Sequence, residues 1–343
     1  MNDLPFSRRL THIFALVAAA FTLIVLTSGG MVTSKGVGMS VPDWPTTYGY
    51  NMFLFPVSHW VGGIFYEHSH RLLATGIGMI SIGLCVWLWI SESRFWVKIL
   101  GTVVVCSIVL QGVIGGLRVV LNEAQIGILH GILAQSLFVL LGILAASTSP
   151  AFVAGRWAPP QKVGGQRWLG LALVGVIFTQ LVIAATMRHA HAGLSIPDFP
   201  AAYGHFLPDT SPASLAAINA SRAAAHDVPT TAALIWLQMA HRFMAVVIFS
   251  LIVALAWNSR QSIIGVRRTT LLLVGMVLVQ IGLGAWTIWS NKAADIATAH
   301  MALGALTLFV SARLAFRLFV MQAGVREESL EFSSGARYSG LSA

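Results

Sequence analysis

The chain has 343 residues, of which 56% are hydrophobic and only 10% charged, and its mean hydropathy is +0.78. This composition excludes an ordinary soluble domain and predicts a polytopic membrane protein. The net charge of +9 does not indicate a nucleic-acid-binding protein, because the basic residues lie in short segments between apolar runs, where they set membrane topology. Cys85 and Cys106 both fall inside apolar runs, so no disulfide framework is predicted.

Eight apolar segments follow one another along the chain, each near the roughly 20 residues that an α-helix needs to cross a bilayer. A linker with Pro159-Pro160 and Gly164-Gly165 divides them into two sets of four. The predicted fold is all-α, with two pseudo-symmetric four-helix bundles at 1–150 and 168–320, a linker at 151–167 and a polar tail at 321–343. The predicted spans are 10–31, 66–90, 95–119, 124–147, 168–187, 234–257, 269–290 and 295–320.

The lysines and arginines are unequally divided between the two sides that these spans define. Fourteen lie on the side of the N-terminus and seven on the other. Because basic loops stay in the cytoplasm, both termini are predicted to be cytoplasmic, and the two long loops at 33–65 and 188–233 to face outward.

An internal repeat relates the two halves. SVPDWPTTYG at 40–49 matches SIPDFPAAYG at 195–204, and the second long loop is expanded by 16 residues relative to the first. An even number of crossings in each half gives both copies the same orientation, which predicts a parallel repeat about the membrane normal. Further matches join His70-Arg71 to His241-Arg242, Gln111-Gly112 to Gln280 and nearby Gly282, and His130 to His300.

Two pairs of histidines recur at nearly equal spacing. His70 and His130 are 60 residues apart, and His241 and His300 are 59 apart. Paired imidazoles at one depth of a helix bundle are what a six-coordinate haem requires, and histidines are costly inside a membrane. We therefore predict one haem site in each half. Surface or hydrogen-bonding roles are predicted for the other histidines, namely His12, His59, His68, His189, His191, His205 and His226.

Three arginines are candidates for binding the propionates of such a haem. Arg71 and Arg242 each follow a candidate ligand, and Arg118 lies near the outer end of the third span. A carboxylate there needs a cation. Anchoring of these side chains at the lipid headgroups is the alternative interpretation.

Glu67 has no acidic counterpart, because the matching residue in the second half is Gln238. Glu67 is three residues before His70 and shares its helix face. We predict that it donates or accepts protons beside one haem only. The alternative is a structural acid that offsets the helix dipole at the N-terminal end of its span.

Taken together, several motifs resemble those of the haem A synthase family across about 10–320: GMSVPDWPTTYG, EHSHR, QGVIGGLRV, His130 and a degenerate second set ending at His300. The resemblance implies a membrane oxidoreductase that converts a methyl group of haem O to the formyl group of haem A, for use by terminal oxidases. It further implies that His70 and His130 hold the haem O substrate or haem A product, that Glu67 is the catalytic carboxylate, and that His241 and His300 bind a haem B cofactor.

The resemblance also implies a cell inner membrane location and, as partners, a haem O synthase, an electron donor and a second copy of the chain. This sequence lacks the first-loop cysteine pair of many family members, so no thiol step is carried over. Two other classes stay open. A di-haem b-type electron carrier would explain the histidines but leave the Glu67 asymmetry without a use, and a transporter would explain the repeat but lacks mid-membrane helix breaks.

Overall fold

The computed structural model describes residues 6–123, 125–262 and 264–339, with side-chain surroundings as far as 325. Over these ranges the protein is all-helical, as predicted, and eight helices are long and apolar enough to cross a membrane. Ala124, where the fourth span was predicted to begin, lies outside the described residues. The helices are α1 Phe6–Ser34, α2 Gly62–Ser91, α3 Phe95–Val120, α4 Ile126–Thr148, α5 Pro150–Val153, α6 Gln166–His189, α7 Pro212–Ala224, α8 Ala232–Asn258, α9 Ile264–Trp289 and α10 Ala294–Ser339.

Several helices extend beyond the predicted spans. α1 begins at Phe6, α2 begins at Gly62 and α10 continues to Ser339. Hydropathy locates the apolar centre of a helix, whereas its hydrogen-bonded ends continue into more polar surroundings. The same effect corrects the prediction that placed Arg188 and His189 in the outer loop, because α6 ends at His189.

The second long loop contains a helix, α7, that was not predicted. The hydroxyl of Ser211 accepts a hydrogen bond from the backbone N–H of Ser214, and Pro212 follows at the first helical position. A side-chain cap, a proline at this position and an alanine-rich sequence all favour helix. Leu215 and Ile218 pack against the buried cluster at the start of α8. Part of the expanded loop therefore covers this end of the second half.

Each half has its own apolar core. In the first half the core includes Leu84, Leu88, Leu141 and Leu144, and in the second it includes Leu173, Ile252, Leu255, Leu273 and Leu318. α1 packs on α2 and α4, and α6 packs on α8 and α10.

The two halves meet where α1 contacts α10 and where α4 contacts both α6 and α10. The rings of Phe138 and Phe309, one from each half, stack with their centroids 4.9 Å apart. Gly142 leaves the room for this stack, because a Cβ there would lie 1.9 Å from the ring of Phe309. The contact between the halves is therefore tightly packed.

Candidate functional site

The first long loop, between α1 and α2, folds around the carboxylate of Asp43. Its oxygens accept hydrogen bonds from the backbone N–H of Tyr48 (2.7 Å) and Gly49 (2.8 Å) and from the hydroxyl of Thr46. Burial alone would raise the pKa of Asp43, but the hydrogen bonds from Gly49, Thr46 and Tyr48 outweigh it and place the pKa below its ordinary value of 3.8. The hydroxyl of Tyr48 donates to the carbonyl of Ser40 (2.6 Å) and closes the turn.

The second long loop, between α6 and α8, repeats this arrangement around Asp198. The carboxylate accepts from the backbone N–H of Tyr203 and of Gly204, each at 2.8 Å. The hydroxyl of Tyr203 donates to the carbonyl of Ser195, as Tyr48 does to Ser40. The sequence match between the loops therefore corresponds to matching hydrogen bonds.

Arg71 and Arg242 fasten these loops to the helices below them. Arg71 donates to the carbonyls of Val41 (2.8 Å) and Asp43 (2.6 Å), and Arg242 donates to the carbonyls of Asp198 (2.6 Å) and Ala201 (2.8 Å). Both guanidinium groups thus have loop carbonyls as partners. Their contact with a haem propionate stays a prediction.

Glu67 and Gln238 hold equivalent backbone groups of the two loops. Glu67 Oε2 accepts from the N–H of Val41 at 2.9 Å, and Gln238 Oε1 accepts from the N–H of Ile196 at 2.7 Å. Both side chains are buried. Glu67 Oε1 also pairs with Nη2 of Arg71 at 2.7 Å, whereas Gln238 donates to two loop carbonyls. The two positions share a shape and a contact but differ in charge.

His241 and His300 face each other across the second half. Their ring centroids are 6.2 Å apart and the rings are inclined by 62°. Two imidazoles that ligate one metal from opposite sides place their nitrogens about 4 Å apart and their ring centres roughly 2 Å further. Within the described part of the chain, Nδ1 of each ring is buried without a hydrogen-bond partner. The 6.2 Å spacing of the ring centroids fits a metal held between the rings.

His70 and His130 occupy the corresponding places in the first half. Nδ1 of His70 lies 3.3 Å from the hydroxyl of Ser28 on α1, and Nδ1 of His130 is buried without a partner among the described residues. His70 lies against Gly29 of α1, and His130 lies against Gly115 of α3. The structure shows the facing arrangement for His241 and His300, and that of His70 and His130 stays a prediction.

A glutamine and a glycine on the preceding helix contact the second histidine of each pair. Gln111 donates to the carbonyl of His130 at 2.9 Å, and Gln280 donates to that of His300 at 2.8 Å. A Cβ on Gly115 would lie 2.9 Å from Cε1 of His130, and one on Gly284 would lie 3.2 Å from Cε1 of His300. Gly115 and Gly284 therefore correspond as the glycines that lie against the second histidine, whereas Gly112 and Gly282 meet nothing within 4 Å.

A group of cations lies near the boundary between the halves. Nε of Arg118 is buried with no hydrogen-bond partner in the described chain, and Arg118 approaches Gly38 of the first loop. Arg188 donates to the carbonyl of Gly30 (2.7 Å) and the hydroxyl of Ser34 (2.5 Å) on α1. Burial and the charge of Arg188 lower the pKa of Lys292 below its ordinary value. This group of positive charges would stabilise an anionic group bound between the halves.

Arg188 and His189 were missed as site residues because the sequence placed them in a loop. A Cβ on Gly127 of α4 would lie 2.5 Å from Cε1 of His189 and 3.3 Å from Nε of Arg118. His189 of the second half therefore reaches the start of α4 in the first half. A basic pair at the end of an apolar run was the available signal, but hydropathy does not tell which helix it contacts.

Two other histidines make hydrogen bonds, as predicted. His68 is fully buried and its Nδ1 lies 3.1 Å from the hydroxyl of Thr47. Near the N-terminal end of α1, Nδ1 of His12 lies 3.0 Å from the carbonyl of Ala145.

Among the residues that the structure describes, no group of three or more His, Cys, Asp or Glu side chains could hold a metal ion by itself. A haem needs only two protein ligands, because the porphyrin supplies the others. The two imidazole pairs and the nearby cations therefore fit haem better than a bare metal ion.

These features define a class: a multi-pass helical membrane protein with imidazoles paired across its helices. The chain belongs to the COX15-CtaA family, described as cytochrome oxidase assembly protein, whose model matches residues 12–312.

Curated relatives cover most of the chain. A protein named "Heme A synthase" from Shewanella oneidensis is 24% identical over 313 residues, which is 85% of this chain and 92% of that protein. Its namesake from Geobacillus kaustophilus is 27% identical over 306 residues, 84% of each chain. That from Lysinibacillus sphaericus is 28% identical over 255 residues, 72% of this chain and 74% of that protein. The predicted family is confirmed.

Proposed function

We propose that the protein is a haem A synthase that oxidises a methyl group of haem O to the formyl group of haem A. The relatives that bear this name, at 24–28% identity, support the assignment. The reaction replaces C–H bonds at an unactivated carbon by successive oxidations, so it needs an oxidant formed at iron and a group that handles protons.

The observation that carries the proposal is the difference between Glu67 and Gln238. Both side chains hold the loop through the same backbone N–H, so the fold accepts either an acid or an amide there. Among the residues that the structure describes, the position equivalent to Glu67 in the second half carries the amide of Gln238 and not an ionisable carboxyl. A simple electron carrier has no use for this difference, whereas an enzyme that reacts in one half and conducts electrons in the other does.

In the first half, His70 and His130 hold the haem O substrate through its iron. When bound, the iron supplies the oxidising chemistry. Glu67 takes up and releases protons at its carboxylate, and Arg71 and the N–H of Val41 keep that carboxylate in place. The glycine at 115 leaves His130 free to approach the substrate.

In the second half, His241 and His300 would hold haem B, which would supply electron transfer when bound. Arg118 is the strongest candidate for a propionate contact in the first half, because its buried Nε has no partner among the described residues. Some guanidinium N–H groups of Arg71 and Arg242 already donate to loop carbonyls, so only their remaining N–H groups can bind a propionate.

The chain works in the cell inner membrane with both termini in the cytoplasm. The excess of basic residues on the N-terminal side supports this orientation. Its partners are a haem O synthase that supplies the substrate, an electron donor and a second copy of the chain.

The test is expression of the full chain in a host that makes haem O but no haem A, followed by chromatography of the extracted haems. Haem A is the expected product. Haem B alone would favour the di-haem electron carrier, which the His241–His300 geometry suits equally well. The doubly substituted variant His70→Ala/His130→Ala is the matched control, because it should retain haem B and form no haem A.

A further inference from the structure

A buried polar pair distinguishes the first half from the second. His68 and Thr47 are both fully buried, and Nδ1 of His68 lies 3.1 Å from the hydroxyl of Thr47. The rings of Phe55 and Trp60 lie against the imidazole, with centroids 5.1 and 4.7 Å away. Burying such polar groups costs free energy that one hydrogen bond only partly offsets.

The second half fills the same place without polar groups. The residues equivalent to His68 and Thr47 are Met239 and Ala202, both buried in an apolar cluster with Ile196 and Ile235. The fold therefore does not need an imidazole or a hydroxyl here. Something particular to the first half must account for the costlier pair.

The pair acts on the loop that holds Glu67. Glu67 contacts this loop at the N–H of Val41, and Arg71 contacts it at the carbonyl of Thr46 (3.3 Å). His68 adds another point of attachment at Thr47, whose backbone also exchanges two hydrogen bonds with Tyr50. The second half has Met239 and Ala202 at these positions, and these side chains cannot form the corresponding hydrogen bond.

We propose that His68 is a positioning residue that acts through Thr47 to keep the Glu67 carboxylate in one orientation. The inference deepens the proposed function and rests on it. His68 touches the loop and not the reacting atoms. Its hydrogen bond to Thr47 fixes the distance between α2 and the loop segment from Val41 to Thr47.

The test uses the full-length protein and the residues that the second half carries. His68→Met and Thr47→Ala should each slow haem O conversion by roughly tenfold, the effect of losing one orienting hydrogen bond. Haem content should stay at the wild-type level and partly oxidised haem should accumulate. The double variant should be no slower than either single one, because both remove the same contact. Met239→Leu is the matched control for packing at this position.

Two conservative variants separate positioning from a direct role of the imidazole. Asparagine places its amide near Nδ1 of histidine, and glutamine places its amide near Nε2. His68→Asn should therefore restore conversion and His68→Gln should not. The reverse result would overturn the inference, because Nε2 and not the Thr47 contact would then carry the effect.

The remaining outcomes are also decisive. If the wild type makes haem A and both His68→Met and Thr47→Ala do so at the same rate, the inference fails while the proposed function stands. If the wild type makes no haem A, both fail. Retained haem B shows that a variant has folded. If His68→Met fails to fold, Thr47→Ala, which is the milder change, tests the same contact.

Discussion

Glu67 and Gln238 grip the same backbone position of two matching loops, Glu67 through the N–H of Val41 at 2.9 Å and Gln238 through that of Ile196 at 2.7 Å. The two contacts thus differ in that the first uses an ionisable carboxylate and the second a neutral amide. Replacing the acid by the amide already tolerated in the second half is therefore the mildest way to remove the chemistry and keep the structure.

Glu67→Gln should bind haem normally and convert haem O about 10²- to 10⁴-fold more slowly, the usual contribution of a positioned acid or base. The amide keeps an acceptor for the N–H of Val41 but cannot exchange a proton. Extraction and chromatography of the haems over a time course would show haem O or a partly oxidised product accumulating. Wild-type amounts of haem A would contradict the assignment of Glu67.

His241→Ala and His300→Ala should each remove haem B from the second half, because one imidazole of a facing pair cannot hold a six-coordinate iron. Pigment extraction and the visible spectrum of the purified protein would measure the loss. His205→Ala, in the exposed part of the second loop, is the control and should keep the haem. Unchanged haem B in both ligand variants would show that the cofactor lies elsewhere.

Gly115→Ala should disturb the first histidine pair, because the added Cβ would lie 2.9 Å from Cε1 of His130 and the ring must move. Gly284→Ala should have a milder effect in the second half, where the distance is 3.2 Å. Gly112→Ala, on the same helix, meets nothing within 4 Å and should be neutral or slightly stabilising. Spectral titration with haem would rank the three variants. Equal affinities would argue against a ligand role for His130.

Asp43 makes the first loop sensitive to acid. Its pKa is lowered in the folded protein, so the carboxylate stabilises the loop above the ordinary value of 3.8, and this stabilisation is lost as pH falls through the lower, folded value. Asp43→Asn should remove the pH dependence. Hydrogen exchange at the amides of Tyr48 and Gly49, measured from pH 5 downward at about half-unit steps, would test this. Exchange that rises equally in both proteins would contradict the role of Asp43.

The sequence predicted the eight spans because apolar length is a property of each segment alone. The loop repeat also appeared in the sequence, since Asp43 and Asp198 organise their own neighbours within six residues. The sequence did not reveal the partners of Arg71, which depend on how a distant loop folds back over α2.

Other features depend on contacts that no local pattern encodes. α7 was missed because it is short and lies inside a polar loop, although Ser211 and Pro212 marked its start. The His68–Thr47 contact joins two residues 21 positions apart, and helical geometry alone said only that His68 does not share the face of His70. The place of Gly115 against His130 likewise depends on the packing of α3 on α4.

Arg188 reaches from α6 into the end of α1 and binds Gly30 and Ser34, and Ser34 in turn contacts Thr298 of α10. Neither half is therefore an interchangeable module. A chimera that took one half from a distant homologue would keep the histidine pair of each half. It would still lose the Arg188–Ser34 hydrogen bond between the halves, unless both residues were introduced together.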